Sequence, residues 1–278
     1  MDWKLWISMI KYILILLIML FLMYLFSLRC RGRHADWSKL LGWVYAHRGL
    51  HGDGIPENSM KAFRKAKEAG YGIELDVHLL SDGNLAVIHD ESLKRVANAD
   101  VFIEDLCVNQ LSEYYLDNSL ETIPNFKDVL DMIDGAVPLI VELKCVKNNY
   151  AALCETTCKL LDSYDGAYCL ESFDPRCVRW LKRNRPELLR GQLSEDYFKT
   201  PDSPLPWYLK FVLVHQLLSF LTIPDFIAYK YSDRMKLSNT LCRKIWGAKG
   251  FVWTIKSKED FYQAQKENWI PIFEGFIP

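Results

Sequence analysis

The chain has 278 residues, half of them hydrophobic and a quarter charged, and its 34 basic and 35 acidic side chains leave a formal net charge of −1. Enough apolar surface is present to bury a large core, which excludes a disordered chain. The near-neutral balance, with no basic stripe interleaved with aromatics, excludes nucleic acid as a partner.

In chain order, the first element is apolar. Residues 12–28 carry no formal charge and follow Trp3 and Trp6, which is just long enough to span hydrocarbon as a helix. The stretch Ser27-Leu28-Arg29-Cys30-Arg31 offers no small-residue cleavage site, so residues 1–28 are expected to be an uncleaved transmembrane anchor rather than a signal peptide. Arg29, Arg31, Arg33 and Lys39 flank its C-terminal end, against Lys4 and Lys11 before it, and the positive-inside rule then places the rest of the chain in the cytoplasm. Residues 29–41 read as a basic linker, and residues 42–278 as one catalytic domain. The eight cysteines, Cys30, Cys107, Cys145, Cys154, Cys158, Cys169, Cys177 and Cys242, sit in apolar segments without zinc-knot spacing. They are expected to be buried thiols in a reducing compartment, and Cys154 with Cys158, though four apart on a helix, lacks further ligands nearby.

Short apolar or β-branched runs then alternate with helical stretches, the pattern of βα units around a parallel sheet. Strands are expected at 43–46, 72–78, 85–89, 139–143, 167–172, 188–193, 226–229, 251–255 and 270–273, with a helix at 60–69 capped by Asn58 or Ser59. Only residues 79–84 separate the second strand from the third, too few for a parallel crossover, and Asp82-Gly83 suits a hairpin turn. Eight parallel strands remain in roughly 240 residues, the size of a TIM-type (β/α)8 barrel with a small hairpin insertion after strand 2. No glycine-rich nucleotide loop supports an open doubly wound sheet.

Chemistry-bearing residues fall repeatedly at expected strand ends, where a barrel keeps its active site. His47 ends the first strand beside Arg48, whose guanidinium matches phosphate oxygens. Glu74 and Asp76, two apart on one strand, share a face and would repel unless a cation sits between them. Glu142 adds a third inward carboxylate, so a divalent cation held by oxygen ligands, Mg²⁺, Ca²⁺ or Mn²⁺, is expected. Lys144 shares the face of Glu142 and offers charge to an anionic substrate. The hairpin strand ends at His89, and two histidines near a metal and an anion site suit acid-base cleavage of a phosphodiester. His51 is a weaker candidate, and His78 reads as a supporting residue.

Taken in order, His47-Arg48-Gly49, Pro56-Glu57-Asn58-Ser59, Glu74-x-Asp76, His89-Asp90, Glu142-x-Lys144, Ser172-Phe173 and Trp253-Thr254 resemble the motif series of the glycerophosphodiester phosphodiesterase family. The resemblance spans nearly the whole globular part. It implies hydrolysis of glycerophosphodiesters to sn-glycerol 3-phosphate and an alcohol, with His47 and His89 as the acid-base pair. It further implies Glu74, Asp76 and Glu142 as metal ligands, Arg48 and Lys144 as phosphate contacts, and Trp253 against the substrate's apolar edge.

Two departures stand out. Such enzymes often end the final strand in a Thr-Asp pair, whereas this chain has Phe273-Glu274-Gly275-Phe276. The segment from Pro204 to Leu221 is apolar, and packing against the barrel is expected, with docking on lipid as the alternative. The anchor and this segment both favour a second substrate class, a lysophospholipid cleaved by the same chemistry.

Overall fold

The computed structural model describes residues 3–200 and 203–278. Its nine strands are β1 (Tyr45–His47), β2 (Gly72–Leu79), β3 (Leu85–Val87), β4 (Leu139–Leu143), β5 (Tyr168–Ser172), β6 (Arg190–Ser194), β7 (Phe226–Lys230), β8 (Lys249–Ile255) and β9 (Ile270–Phe273). β1 pairs in parallel with both β2 and β9, so the sheet closes on itself, while β3 runs antiparallel along the end of β2. The result is an eight-stranded parallel barrel carrying a hairpin, as the sequence predicts. Strand ends differ from expectation by a residue or two, the usual scatter where a ladder frays into a loop.

The helices are α1 (Trp3–Ser27), α2 (Met60–Glu68), α3 (Lys94–Ala97), α4 (Phe126–Ile133), α5 (Tyr150–Leu161), α6 (Pro175–Asn184), α7 (Trp207–Val214), α8 (Ser219–Thr222), α9 (Leu237–Lys244) and α10 (Lys258–Lys266). Side-chain caps start several of them. Of the two candidates for α2 it is Ser59 that accepts the Ala62 N–H, at 3.1 Å, and Asp174 and Ser257 do the same for α6 and α10. The inner stripe of α2, Ala62, Phe63 and Ala66, is fully buried against the barrel.

Strand alternation divides the core in two. Outward residues such as Ala46, Ile73, Leu75, Val141 and Ile227 pack under the helices, while Tyr45, Ile140, Cys169, Phe226, Phe251 and Ile272 fill the barrel's interior floor. The floor rings sit close together, Phe226 to Phe251 at 4.9 Å and Tyr45 to Phe251 at 5.8 Å. Glycine makes room for them: a Cβ on Gly191 would stand 2.0 Å from the Phe226 ring.

Leu28, at the end of the expected anchor, and residues 29–41, expected to form a linker, are packed against the barrel. Leu28, Trp37 and Leu40 are buried, and Trp37 meets Phe226 edge-on at 5.8 Å, so the segment closes the barrel floor. Arg31 donates its amide to Pro224 O and its guanidinium to both oxygens of the buried Asp225, at 2.7 and 3.0 Å. Trp246 Nε1 donates to Leu25 O at 3.0 Å, fixing the end of α1 itself. Within α1, an 18-residue window of the stretch Trp6–Ser27 has a mean hydropathy of 2.5, and the helix meets the rest of the fold near its C-terminal end, where Phe26 packs on Phe220, so it is long and apolar enough to cross a bilayer.

The hairpin is larger than expected. Residues 80–124 add α3 and short 3₁₀ turns to β3, and close around an apolar cluster of their own that includes Leu80, Ile88, Leu93, Ile103 and Leu111. The apolar segment 204–221 also departs from simple packing: it breaks into α7 and α8, burying Val214 but leaving Trp207, Tyr208 and Phe211 exposed. All eight cysteines are free and six are buried.

Candidate active site

Two residues above most floor positions, on the same inward face, the barrel carries its chemistry-bearing side chains, Ala228 above Phe226 being the exception. His47 lies two beyond Tyr45, Glu142 two beyond Ile140, Glu171 two beyond Cys169, Trp253 two beyond Phe251, and Glu274 two beyond Ile272. Glu74 occupies the same level on β2, where Gly72 leaves the floor beneath it to the Tyr45 ring. One cavity at this C-terminal end is lined by His47, Arg48, Glu74, His89, Glu142 and Trp253 among others. The residues singled out from the sequence are thus brought to one mouth, with Asp76, two beyond Glu74, against Arg48 and Lys144, and Lys144, two beyond Glu142, against Glu142 as well.

Glu74, Asp76 and Glu142 are all buried, and one carboxylate oxygen from each lies within 4.8 Å of the others. Burial and the charges of Asp76 and Glu142 push Glu74 well above the ordinary carboxylate range, and burial likewise raises Glu142. Against burial, Lys144, His89 and Arg48 hold Asp76 well below it. Lys144 Nζ stands 3.0 Å from Asp76 and 2.7 Å from Glu142, Arg48 Nε stands 3.4 Å from Asp76, and the Arg48 amide donates to Glu74 at 3.1 Å. Arg48 reaches this position from a left-handed backbone (φ 55°), a conformation held in place by the Asn58 amide donating to Arg48 O.

Glu171 makes a fourth buried carboxyl, beside Glu142 in the β4–β5 register, and its Oε2 has no hydrogen-bond partner. Four carboxylates face two permanent cations, Arg48 and Lys144, so the cluster lacks two positive charges when fully ionised. A divalent cation supplies that number, and the oxygen-only donor set of Glu74, Asp76 and Glu142 suits a hard ion such as Mg²⁺, Ca²⁺ or Mn²⁺.

Each histidine is oriented by a carboxylate. His47 Nδ1 donates to Glu274 at 2.7 Å, which leaves Nε2 free, 3.9 Å from Glu74. Burial lowers His47 below the usual histidine range, against the pull of Glu274, while the His47 bond draws Glu274 down to about 2. The Ile88 amide donates to Asp76 O at 3.1 Å, carrying the hairpin over the carboxylates so that His89 follows immediately. His89 Nδ1 donates to Asp90 at 2.6 Å, again leaving Nε2 free. His78 supports this arrangement with Nδ1 on Glu104 and Nε2 donor-to-carbonyl at His89 O, 3.2 Å away. His51 joins His47 and Glu274 in a second compact group.

A chain of ion pairs crosses the mouth. Arg48 binds Glu57 at 2.9 Å, Glu57 accepts from Arg95 at 2.6 Å, and Arg95 holds Asp90 at 2.5 Å, so the barrel's arginine is tied to the hairpin's histidine. Asn58, a candidate cap in the sequence, donates instead to Asp76 at 2.8 Å. Sequence reasoning did not single out Arg95 or Glu171. The alternation Cys169-x-Glu171 on β5 matches Ile140-x-Glu142 on β4 and carried the signal for Glu171, whereas Arg95 lies in α3, a single helical turn too short for periodicity to reveal it.

The model of the glycerophosphoryl diester phosphodiesterase family matches residues 47–274. A glycerophosphodiester phosphodiesterase of Caldanaerobacter subterraneus is 30% identical over 238 residues, covering 80% of this chain and 89% of that protein. A human lysophospholipase D is 35% identical over 117 residues, covering 37% of this chain and 36% of that one. Among solved structures, a Thermotoga maritima glycerophosphodiester phosphodiesterase superposes with a TM-score of 0.63 at 25% identity, covering 83% of this chain and 94% of the other. An Oleispira antarctica phosphodiesterase in complex with sn-glycerol 3-phosphate shares the fold with a TM-score of 0.68 at 22% identity, covering 84% and 93%. This chain therefore belongs to the glycerophosphoryl diester phosphodiesterase family, and it is a phosphoric diester hydrolase.

Proposed function

We propose that the protein hydrolyses glycerophosphodiesters to sn-glycerol 3-phosphate and an alcohol, using one divalent cation at Glu74, Asp76 and Glu142 and acid-base catalysis by His47 and His89. The observation that carries this reading is the matched pair of histidines. Each has Nδ1 fixed on a carboxylate and Nε2 free, and both line the cavity that holds the carboxylate cluster. His47, held below the ordinary range by burial, is neutral at pH 7 and takes the proton of the glycerol 2-hydroxyl as its oxygen attacks phosphorus. The bond to the alcohol oxygen breaks, and that oxygen takes a proton from His89. Water then opens the cyclic phosphate with the two roles reversed. When bound, the cation neutralises charge developing on the phosphoryl oxygens. Arg48 and Lys144 offer the phosphate two further positive charges, and Trp253 faces the apolar edge of the glycerol.

Residues 1–28 serve as the membrane anchor in this reading, followed by the floor segment 29–41 and the catalytic barrel 42–278, with the barrel on the cytoplasmic side. A second reading, cleavage of lysophospholipids, is supported by the partial match to a lysophospholipase D and by the exposed apolar face of α7. The test is a panel of glycerophosphocholine and lysophosphatidylcholine. Release of glycerol 3-phosphate that stops with EDTA and returns with Mg²⁺, Ca²⁺ or Mn²⁺ supports the first reading. Preference for the acylated diester supports the second. His47→Ala and His89→Ala should each lose about 10²–10⁴-fold in turnover with unchanged circular dichroism, and full activity in either removes that residue from the mechanism.

A further inference from the structure

We infer that the barrel reclines on the lipid surface along its α7–α9 side, with an apolar lip around α7 seated among the headgroups beside the catalytic mouth. This rests on the reading of α1 as a membrane anchor and adds a second, peripheral contact to it.

The lip is built from two loops. Phe198, Trp207 and Phe211 from the β6–β7 connection are 56%, 73% and 48% exposed, and Met235 from the β7–α9 connection and Leu237 at the start of α9 are 71% and 63% exposed. Such a concentration of large apolar side chains is costly in water and marks a contact surface. The loops are held together beneath it, since Asp196 takes Lys236 at 2.8 Å and Asp233 takes Lys199 at 2.7 Å. Its height on the barrel is fixed as well. Ser194 Oγ donates to Leu213 O at 3.1 Å and Tyr229 Oη donates to Val214 O at 2.9 Å, so α7 ends level with the C-terminal ends of β6 and β7, where the mouth opens.

The occupant is indicated by what lies at the other end of the same side. Phe26 of α1 packs on Phe220 of α8 at 5.8 Å, and Trp246, just past α9, binds Leu25 O. α9 has eight residues, about 12 Å, so the lip and the root of α1 lie one short helix apart. No free linker separates them, because Leu28 is already buried in the barrel. A leaflet entered by α1 is therefore within reach of the lip. Charge agrees: Arg29 follows α1 directly and Lys182 donates to Leu221 O at 2.8 Å, next to the Phe220 that α1 packs on, so cations lie at the exit of α1, suited to anionic headgroups. Tryptophan and tyrosine on an exposed helix suit the interfacial layer.

The test uses the full chain in vesicles of phosphatidylcholine and phosphatidylglycerol doped with a lipid carrying a diazirine high on its acyl chain. After irradiation, adducts mapped by mass spectrometry should appear in α1 and also on residues 207–211 and 235–237. Adducts confined to α1 leave the anchor standing and overturn the lip. Absence of adducts everywhere, with release of the protein by alkaline carbonate, overturns the anchor and the lip together. A Trp207→Ser/Phe211→Ser double variant should lose about tenfold in turnover of lysophosphatidylcholine presented in vesicles, while turnover of soluble glycerophosphocholine stays as in the wild type. Equal loss on both substrates, or on neither, refutes the contact.

Discussion

Replacing Glu274 by glutamine isolates the most informative contact in the site. The carboxylate accepts the Nδ1–H of His47 at 2.7 Å and is only 22% exposed, so this is a charge-assisted hydrogen bond in a partly dry setting. Bonds of that kind are worth about 1.5–3 kcal/mol, or roughly 10–150-fold in rate if fully expressed in the transition state. The carboxamide adds a second loss, because its NH₂ can donate to Nδ1 and move the imidazole proton to Nε2, the edge that acts as base in the proposed mechanism. In a serine protease the corresponding change costs about 10⁴ in kcat, which sets an upper bound. The expectation for Glu274→Gln is a fall of about 10²–10³ in kcat, measured as glycerol 3-phosphate release from glycerophosphocholine across pH 5–9. The profile carries an independent check. Glu274 raises His47 against the downward pull of burial, so without it the acid limb of kcat/KM should move to lower pH. Activity within threefold of wild type with an unmoved acid limb would show that Glu274 does not orient the base.

Glu74→Gln should abolish activity yet stabilise the metal-free protein. The folded state holds Glu74 above its ordinary range, so ionising it costs stability that grows as pH rises beyond about 4.5. In EDTA the variant should match wild type near pH 4.5 and melt higher than wild type at pH 8; a lower melting temperature at pH 8 contradicts the charge deficit inferred for the cluster. Arg31→Met removes the bidentate partner of the buried Asp225, leaving it the Arg190 amide at 3.0 Å and the Arg190 guanidinium at 3.8 Å. A cost of about 2–4 kcal/mol, or roughly 5–15 °C in melting temperature, follows for the full chain in detergent, and a shift under 2 °C would mean that the floor segment contributes little.

Much of this architecture was legible because it is written in alternation. Tyr45-x-His47, Ile140-x-Glu142 and Phe251-x-Trp253 are period-two patterns, and in a closed barrel the inward face can point only to one axis, so strand-end chemistry converges without any knowledge of long-range packing. The hairpin turn at Asp82-Gly83 was legible for the same local reason. Less was visible where function depends on residues reached through loops. Arg95 bridges Asp90 and Glu57, which are distant in sequence, and nothing local to Arg95 encodes that. The basic character of residues 29–41 suggested a solvated linker, but the cations alternate with Trp37 and Leu40, and the guanidinium of Arg31 is drawn to Asp225 across the floor. α7 read as packed because apolar residues usually are; its exposure depends on which neighbours reach it, which composition does not specify.

The two histidines proposed as the acid-base pair rest on parts of the fold with separate apolar clusters. His47 stands on a barrel strand, whereas His89 leaves a unit whose apolar cluster, around Leu93, Ile103 and Leu111, is its own. A unit of that size can open by itself at a free energy below that of the whole molecule. Warming would then withdraw one proton carrier from the mouth while the barrel stays closed, so that loss of turnover precedes loss of secondary structure. The protein's upper working temperature would then be set by the cluster under the hairpin rather than by the barrel.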